Sequence, residues 1–192
     1  MSERRVVVTG LGAVTPLGND TRSTWQGLIA GRSGVCPITT FDVSAYPSRI
    51  AGLVKGFDPE QIVEKKAVKR YDRFSLFAMA AAREAWADSG LKDVNPYEPL
   101  NCGVILGVGI GGLTTLENNH EALLAGGPRR VSPFLIPAMI SNLAPGNVAI
   151  DLNLQGVNYT VTSACTSGTH AVGEAYRMVK EGLQDLVITG GT

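Results

Sequence analysis

Tyr159-Thr160-Val161-Thr162-Ser163-Ala164-Cys165-Thr166-Ser167-Gly168 decides the fold. Residues 159–162 are all aromatic or β-branched, a composition that predicts a strand. Small residues then turn the chain. A helix is expected from about Ser167 to Glu181, ended by Gly182. A further apolar strand, Leu186-Val187-Ile188-Thr189, runs into Gly190-Gly191-Thr192. Strand, helix and strand in so short a stretch read as a crossover unit with parallel strands.

The same alternation extends toward the N-terminus. Arg5-Val6-Val7-Val8-Thr9 reads as a buried strand that turns at Gly10-Leu11-Gly12. Asn19 or Asp20 can cap a helix reaching about Ala30, with Gly31 ending it. Residues 32–58 look irregular. Asp72 is placed to cap a long helix ending near Ser89, with Gly90 after it. Phe74, Phe77, Ala78, Ala81 and Ala85 supply that helix's apolar face. Cys102-Gly103-Val104-Ile105-Leu106-Gly107 is another strand, and a glycine-rich turn leads to a helix through about Leu124. Prolines break residues 126–156 into short helical pieces. The chain therefore reads as one α/β domain over residues 1–192 with a mainly parallel sheet.

Composition narrows the function classes. Lys plus Arg and Asp plus Glu both number 17, so net charge gives no reason to expect nucleic acid or an anionic membrane as partner. Val131–Ile150, the longest candidate for a span, holds three prolines and several polar residues that lipid would leave unpaired. No apolar signal segment follows Arg4 and Arg5. The 3 cysteines lack CxxC spacing and the histidines number 2, which argues against a disulfide framework and a metal centre. A reduced, cytoplasmic protein is expected, with no cofactor. Charge is also unevenly placed. Between Val131 and Gly173 the only charged residue is Asp151, so this stretch is either core or a surface meant to be covered.

Cys165 is the sharpest chemical feature. A strand delivers it to a turn that opens a helix, where free N–H groups and the helix dipole present positive charge to a thiol and favour the thiolate. Its small neighbours leave room for a substrate, and its own N–H could serve an oxyanion hole. Free cysteine is also a common buried residue, so local chemistry alone leaves both readings open. Cys36 and Cys102 read as ordinary buried cysteines. His170 lies five positions after Cys165, about 140° around a helix, so the two side chains diverge. His120 belongs to another helix. Gly107-Val108-Gly109-Ile110-Gly111-Gly112 fits G-x-G-x-x-G, but no acidic residue ends a strand about 20 positions later, which disfavours a dinucleotide site.

Several motifs, in order, resemble one family. They are Val6-Val7-Val8-Thr9-Gly10-Leu11-Gly12 with Thr15-Pro16-Leu17-Gly18, then Gly109-Ile110-Gly111-Gly112, then Gly126-Gly127-Pro128-Arg129 with Ser132-Pro133-Phe134, then Ser163-Ala164-Cys165-Thr166-Ser167-Gly168 and Gly190-Gly191. Together they resemble the β-ketoacyl-acyl-carrier-protein synthases, most closely the elongating type II group of bacterial fatty acid synthesis. The resemblance runs from Met1 to Thr192 and matches the N-terminal half of that family. It implies a thiolase-like half built on a mixed, mainly parallel five-stranded sheet with helices on both faces.

The resemblance also implies a mechanism. Cys165 would accept an acyl chain as a thioester. Malonyl-acyl carrier protein would then lose carbon dioxide, and its carbanion would attack that thioester. The family's two catalytic histidines, its lysine and a second oxyanion-hole amide lie in the other half, so these residues alone are expected not to condense acyl groups. Ile110 and Leu135 match acyl-pocket positions, although many relatives carry an aromatic residue where Leu135 stands. Lys65, Lys66, Lys69 and Arg70 match a region that docks acidic acyl carrier protein, and they read equally as a solvated helix face. Tyr159, Thr160, Val161 and Thr162 match the strand paired across the family's homodimer. A non-catalytic carrier-binding or chain-length-type module is the alternative. The chain is further expected to expose more apolar surface than a finished domain and to self-associate.

Overall fold

A computed structural model describes residues 4–91 and 96–192. Its elements are α1 (Thr21–Ile29), β1 (Val35–Pro37), β2 (Ile50–Gly52), α2 (Arg73–Asp88), β3 (Cys102–Gly107), α3 (Leu113–Gly126), α4 (Leu135–Met139), α5 (Leu143–Leu152), β4 (Asn158–Val161), α6 (Ser167–Lys180) and β5 (Leu186–Gly191). β3 is the central strand of a three-stranded sheet ordered β4–β3–β5, parallel to both neighbours. β1 and β2 form a separate antiparallel pair.

Alternation along β3 builds two cores. Cys102, Val104 and Leu106 face α2 and α5, where they pack with Ala78, Met79, Ala82, Ala144 and Val148. Ile105 points the other way and meets Ala171 and Ala175 of α6. Both faces of β3 are therefore covered by helix, which is why all six of its residues are buried and its sequence shows no polar alternation. The crossover from β4 through α6 to β5 passes over β3, so α6 lies across the sheet.

The helix boundaries follow local chemistry. Asp20 rather than Asn19 caps α1, accepting a 2.6 Å hydrogen bond from the Ser23 N–H. Asp72 caps α2 through the Phe74 N–H. The left-handed residues Gly31, Gly90 and Gly182 follow α1, α2 and α6 as expected.

The described residues hold sheets of three and two strands. One expectation is corrected. Residues 5–9 pair with no strand, and Val8 is 80% exposed. The continuation of that segment packs on a helix instead. A Cβ at Gly10 or Gly12 would collide with the backbone of α2 at Ala85 or Ala81. The N–H groups of Leu11 and Ala13 go to the carboxylates of Asp88 and Glu84. Side chains on α2 thus take hydrogen bonds that a ladder would otherwise take.

The surface is large for the mass. It measures 12072 Å², against about 8,800 Å² expected for a compact 20.2 kDa monomer. Val7, Ile136, Ile150 and Val172 are among its exposed apolar residues, three of them in the stretch poor in charge. Asp151, that stretch's one charge, is bound by Arg83 through two 2.6 Å hydrogen bonds. Among the described residues no helix is long and apolar enough to cross a membrane.

Candidate active site

The C-terminal ends of β3, β4 and β5 converge, with Gly107 flanked by Val161 and Gly191. In open parallel sheets this end is where ligands bind. Cys165 stands there, in a 3₁₀ turn (Ala164–Thr166) between β4 and α6, and it is exposed. The turn leads directly into α6, so the thiol sits at the start of a 14-residue helix. Cys102 is buried in β3, and Cys36 is half-buried in β1.

The turn is held from several sides. Ser167 Oγ accepts a 2.9 Å hydrogen bond from the Ser163 N–H and donates one of 2.7 Å to the Ala164 carbonyl. Ser163 Oγ and His170 Nδ1 are hydrogen-bonded at 2.7 Å. Ala164 is left-handed, with φ of 53°. Thr162 Oγ1 donates to the Val108 carbonyl at 3.0 Å, joining the Cys165 turn to the turn after β3.

The glycines after β3 serve packing. A Cβ at Gly107 would overlap the Ser167 peptide, and one at Gly112 would press on the Ala138 carbonyl. They allow backbones to approach, which gives two of the three glycines of the G-x-G-x-x-G pattern a packing role.

The other candidate residues scatter around this centre. Ile110 lies in the turn after β3 and is 75% exposed. Its turn neighbours the Cys165 turn through Gly109, whose Cβ would lie 3.8 Å from the Ala164 carbonyl oxygen. Leu135 begins α4 and is half-buried. Gly112 donates to the Met139 carbonyl at 2.9 Å, tying the Ile110 turn to the far end of α4 rather than to Leu135.

Tyr159, Thr160 and Val161 belong to β4, the sheet's edge, and Thr162 follows it. The Tyr159 hydroxyl is pushed above the usual phenol range, first by burial and then by the Glu174 carboxylate.

The basic run is not a helix face. Lys65 and Lys66 precede a single 3₁₀ turn, Val68–Arg70. Lys65 pairs with Glu60 at 3.5 Å and Lys66 with Glu64 at 2.9 Å. Arg70 stands over the Phe134 ring, 5.1 Å from its centroid. Lys69 lines a cleft of about 300 Å³ with Asp72, Thr115, Asn119 and Phe134. Asp72, on its lining, accepts from the Thr115 N–H at 3.1 Å and hydroxyl at 2.6 Å. Cys165, Ile110 and Leu135 do not line this cleft.

Sequence reading takes Ser163 and Ser167 only as small neighbours of Cys165 and does not reach the hydrogen bonds that they and His170 make. The available signal was a second serine, four residues after the first, at the start of a predicted helix. Among the described residues no group of three or more potential ligands could hold a metal ion.

A family model described as Beta-ketoacyl synthase, N-terminal domain, matches residues 3–192. The chain belongs to the β-ketoacyl synthase family. It is 48% identical over its whole length to 3-oxoacyl-[acyl-carrier-protein] synthase 2 of Coxiella burnetii, covering 46% of that protein. Identity to the enzyme of the same name from Vibrio cholerae is 46%, again covering 46% of it. The chain thus spans about half the length of the curated relatives it matches. Among solved structures, the ishigamide ketosynthase/chain length factor superposes with a TM-score of 0.86 at 30% identity, over 99% of this chain and 47% of that one. AntDE:AntF, a type II PKS acyl-carrier protein in complex with its ketosynthase, matches at TM-score 0.80 and 21% identity, over 97% and 50% of the two chains. Ketosynthase relatives share this arrangement of sheet and helices.

Proposed function

We propose that this β-ketoacyl synthase chain carries the nucleophile of a condensing acyltransferase of the 3-oxoacyl-[acyl-carrier-protein] synthase 2 type, acting in fatty acid elongation. One observation carries the reading: an exposed cysteine, Cys165, at the start of α6 and the open end of the parallel sheet. The Cys165 sulfur attacks the carbonyl carbon of an acyl thioester and expels the carrier thiol, leaving an acyl-cysteine. Decarboxylation of malonyl-acyl carrier protein releases carbon dioxide and a carbanion. The carbanion forms a carbon–carbon bond to the acyl carbonyl, and the Cys165 thiolate leaves.

Within these 192 residues the histidines are His120, exposed on α3, and His170, bonded to Ser163. Among the described residues neither is hydrogen-bonded to Cys165, and the reading holds that this chain alone does not complete the condensation. The acyl group lies toward Ile110 and Leu135, and acyl carrier protein docks at Lys65, Lys66, Lys69 and Arg70. The protein acts in the cytoplasm as a homodimer joined along Tyr159–Thr162. The 12072 Å² surface and the exposed apolar residues support a covered face. Sedimentation at twice the chain mass checks the dimer, and a monomer at micromolar concentration counts against it. The five-stranded sheet of a thiolase-like half needs two more strands beside β5.

The test is carbon–carbon bond formation by the intact protein from an acyl thioester and malonyl-acyl carrier protein. Product from the natural sequence and none from Cys165→Ala supports the reading. Unchanged function of Cys165→Ala favours the carrier-binding module.

A further inference from the structure

Two non-glycine residues among those described have positive φ. Asn153 closes α5, a place where asparagine commonly turns left-handed. Ala164 has no such excuse. A residue with a Cβ is disfavoured there and stays only when its surroundings over-determine it.

The surroundings of Ala164 reduce largely to one hydroxyl. Ser167 Oγ holds the N–H of the residue before Ala164 and the carbonyl of Ala164 itself, at 2.9 and 2.7 Å. The Thr166 N–H adds a longer bond to the Ser163 carbonyl, at 3.2 Å. Ser167 is 3% exposed and has little room to move. Gly107 lies beneath its peptide, and Gly191 packs on the neighbouring Gly168. The hydroxyl is therefore a fixed point, set by the ends of β3 and β5, to which both sides of the Ala164 turn are tied. Ser163 is fastened again through its side chain to His170, one turn further along α6.

We propose that Ser167 is a positioning residue for Cys165. Its hydroxyl keeps Ala164 left-handed, and that backbone angle aims the Cys165 side chain from the start of α6. The inference rests on reading Cys165 as the nucleophile. Without the hydroxyl, the Ser163 N–H and the Ala164 carbonyl lose their partner, and φ at Ala164 relaxes to negative values. The peptide linking Ala164 to Cys165 then rotates and carries the thiol away from its present direction. Glycine enters the left-handed region freely, so Ala164→Gly should offset the loss of Ser167.

The experiment follows the rate of Cys165 alkylation by iodoacetamide in the intact protein, with melting temperature recorded for each variant. Ser167→Ala is expected to slow alkylation at least tenfold. Ser167→Ala with Ala164→Gly is expected to recover at least threefold of that loss. Ala164→Val, at an exposed position, provides a second arm should Ser167→Ala fail to fold. A β-branched side chain resists positive φ, so it should slow alkylation to a similar degree. Alkylation within twofold of the natural sequence in Ser167→Ala, or in Ala164→Val where Ser167→Ala does not fold, overturns the proposal. So does a double variant no faster than the single one. Acylation of the natural protein by an acyl thioester is measured alongside. Its absence removes the reading of Cys165 as nucleophile while leaving the alkylation result to decide the role of Ser167.

Discussion

Gly107 ends β3 directly beneath the first peptide of α6, so that a Cβ at Gly107 would overlap the carbonyl group of Ser167. The contact is backbone against glycine, with no flexible side chain to yield. It sets how closely α6, and with it the Cys165 turn, can approach the sheet.

Gly107→Ala should therefore destabilise the fold and disturb the site together. Overpacking of this kind costs about 1–3 kcal/mol, and a rigid backbone neighbour places this site toward the upper end. Thermal unfolding and iodoacetamide kinetics check it. An alanine variant with unchanged melting and unchanged Cys165 reactivity would show that the contact can be relaxed.

The three cysteines should separate by environment. Cys165 is exposed, and Cys36 is half-buried with Sγ 3.8 Å from the Ala51 carbonyl oxygen. Cys102 is fully buried, and its thiol is pushed up by burial and then by the charge of Asp185. A disulfide reagent at neutral pH should label Cys165 first and Cys102 only on unfolding. Early labelling of Cys102 would contradict the packing of β3.

Asp20 should couple stability to acid pH. The Ser23 N–H and hydroxyl hold its carboxylate below the ordinary value of 3.8. A lowered folded-state value means the contribution is present above the unfolded value and lost as pH falls through the folded one. The window therefore lies below about pH 4. Asp20→Ala should cost about 1 kcal/mol at neutral pH. Asp20→Asn should keep most of the cap and remove this acid dependence. Melting curves at pH 3 and pH 7 distinguish them, and equal acid sensitivity in Asp20→Asn and the natural sequence would exclude the effect.

The proposed docking of carrier protein at the basic turn should draw unequally on its residues. Lys65 and Lys66 already have carboxylate partners, whereas Lys69 faces the cleft beside Asp72. Exposed pairs of this sort are individually weak, but Lys69 has no ion pair among the described residues, and reversal of such a charge at an interface acts on both encounter and affinity. Lys69→Glu should weaken binding of acyl carrier protein by about tenfold, more than Lys65→Glu. Equal effects, or none, would move the docking surface elsewhere.

Much of the fold was legible because local signals agreed. The strand–helix–strand unit around Cys165, the burial of β3 and the caps at Asp20 and Asp72 each follow from patterns a few residues long. The place of Cys165, in the turn that opens α6, was legible as well. What escaped depended on distant partners. Val6-Val7-Val8 reads as a buried strand, but the residues after it give their N–H groups to Glu84 and Asp88 of α2. The run from Lys65 to Arg70 reads as a helix face, yet it contains a 3₁₀ turn. The brace from Ser167 to Ser163 and Ala164 requires a left-handed alanine, which no sequence rule favours.

The most direct measurement is the mass of the intact protein after incubation with a long-chain acyl thioester, followed by peptide mapping. One acyl group on the peptide carrying Cys165, absent from Cys165→Ala, is the expected result. An acyl group on another residue, or one retained at the same stoichiometry in Cys165→Ala, would contradict the assignment of Cys165 as the nucleophile.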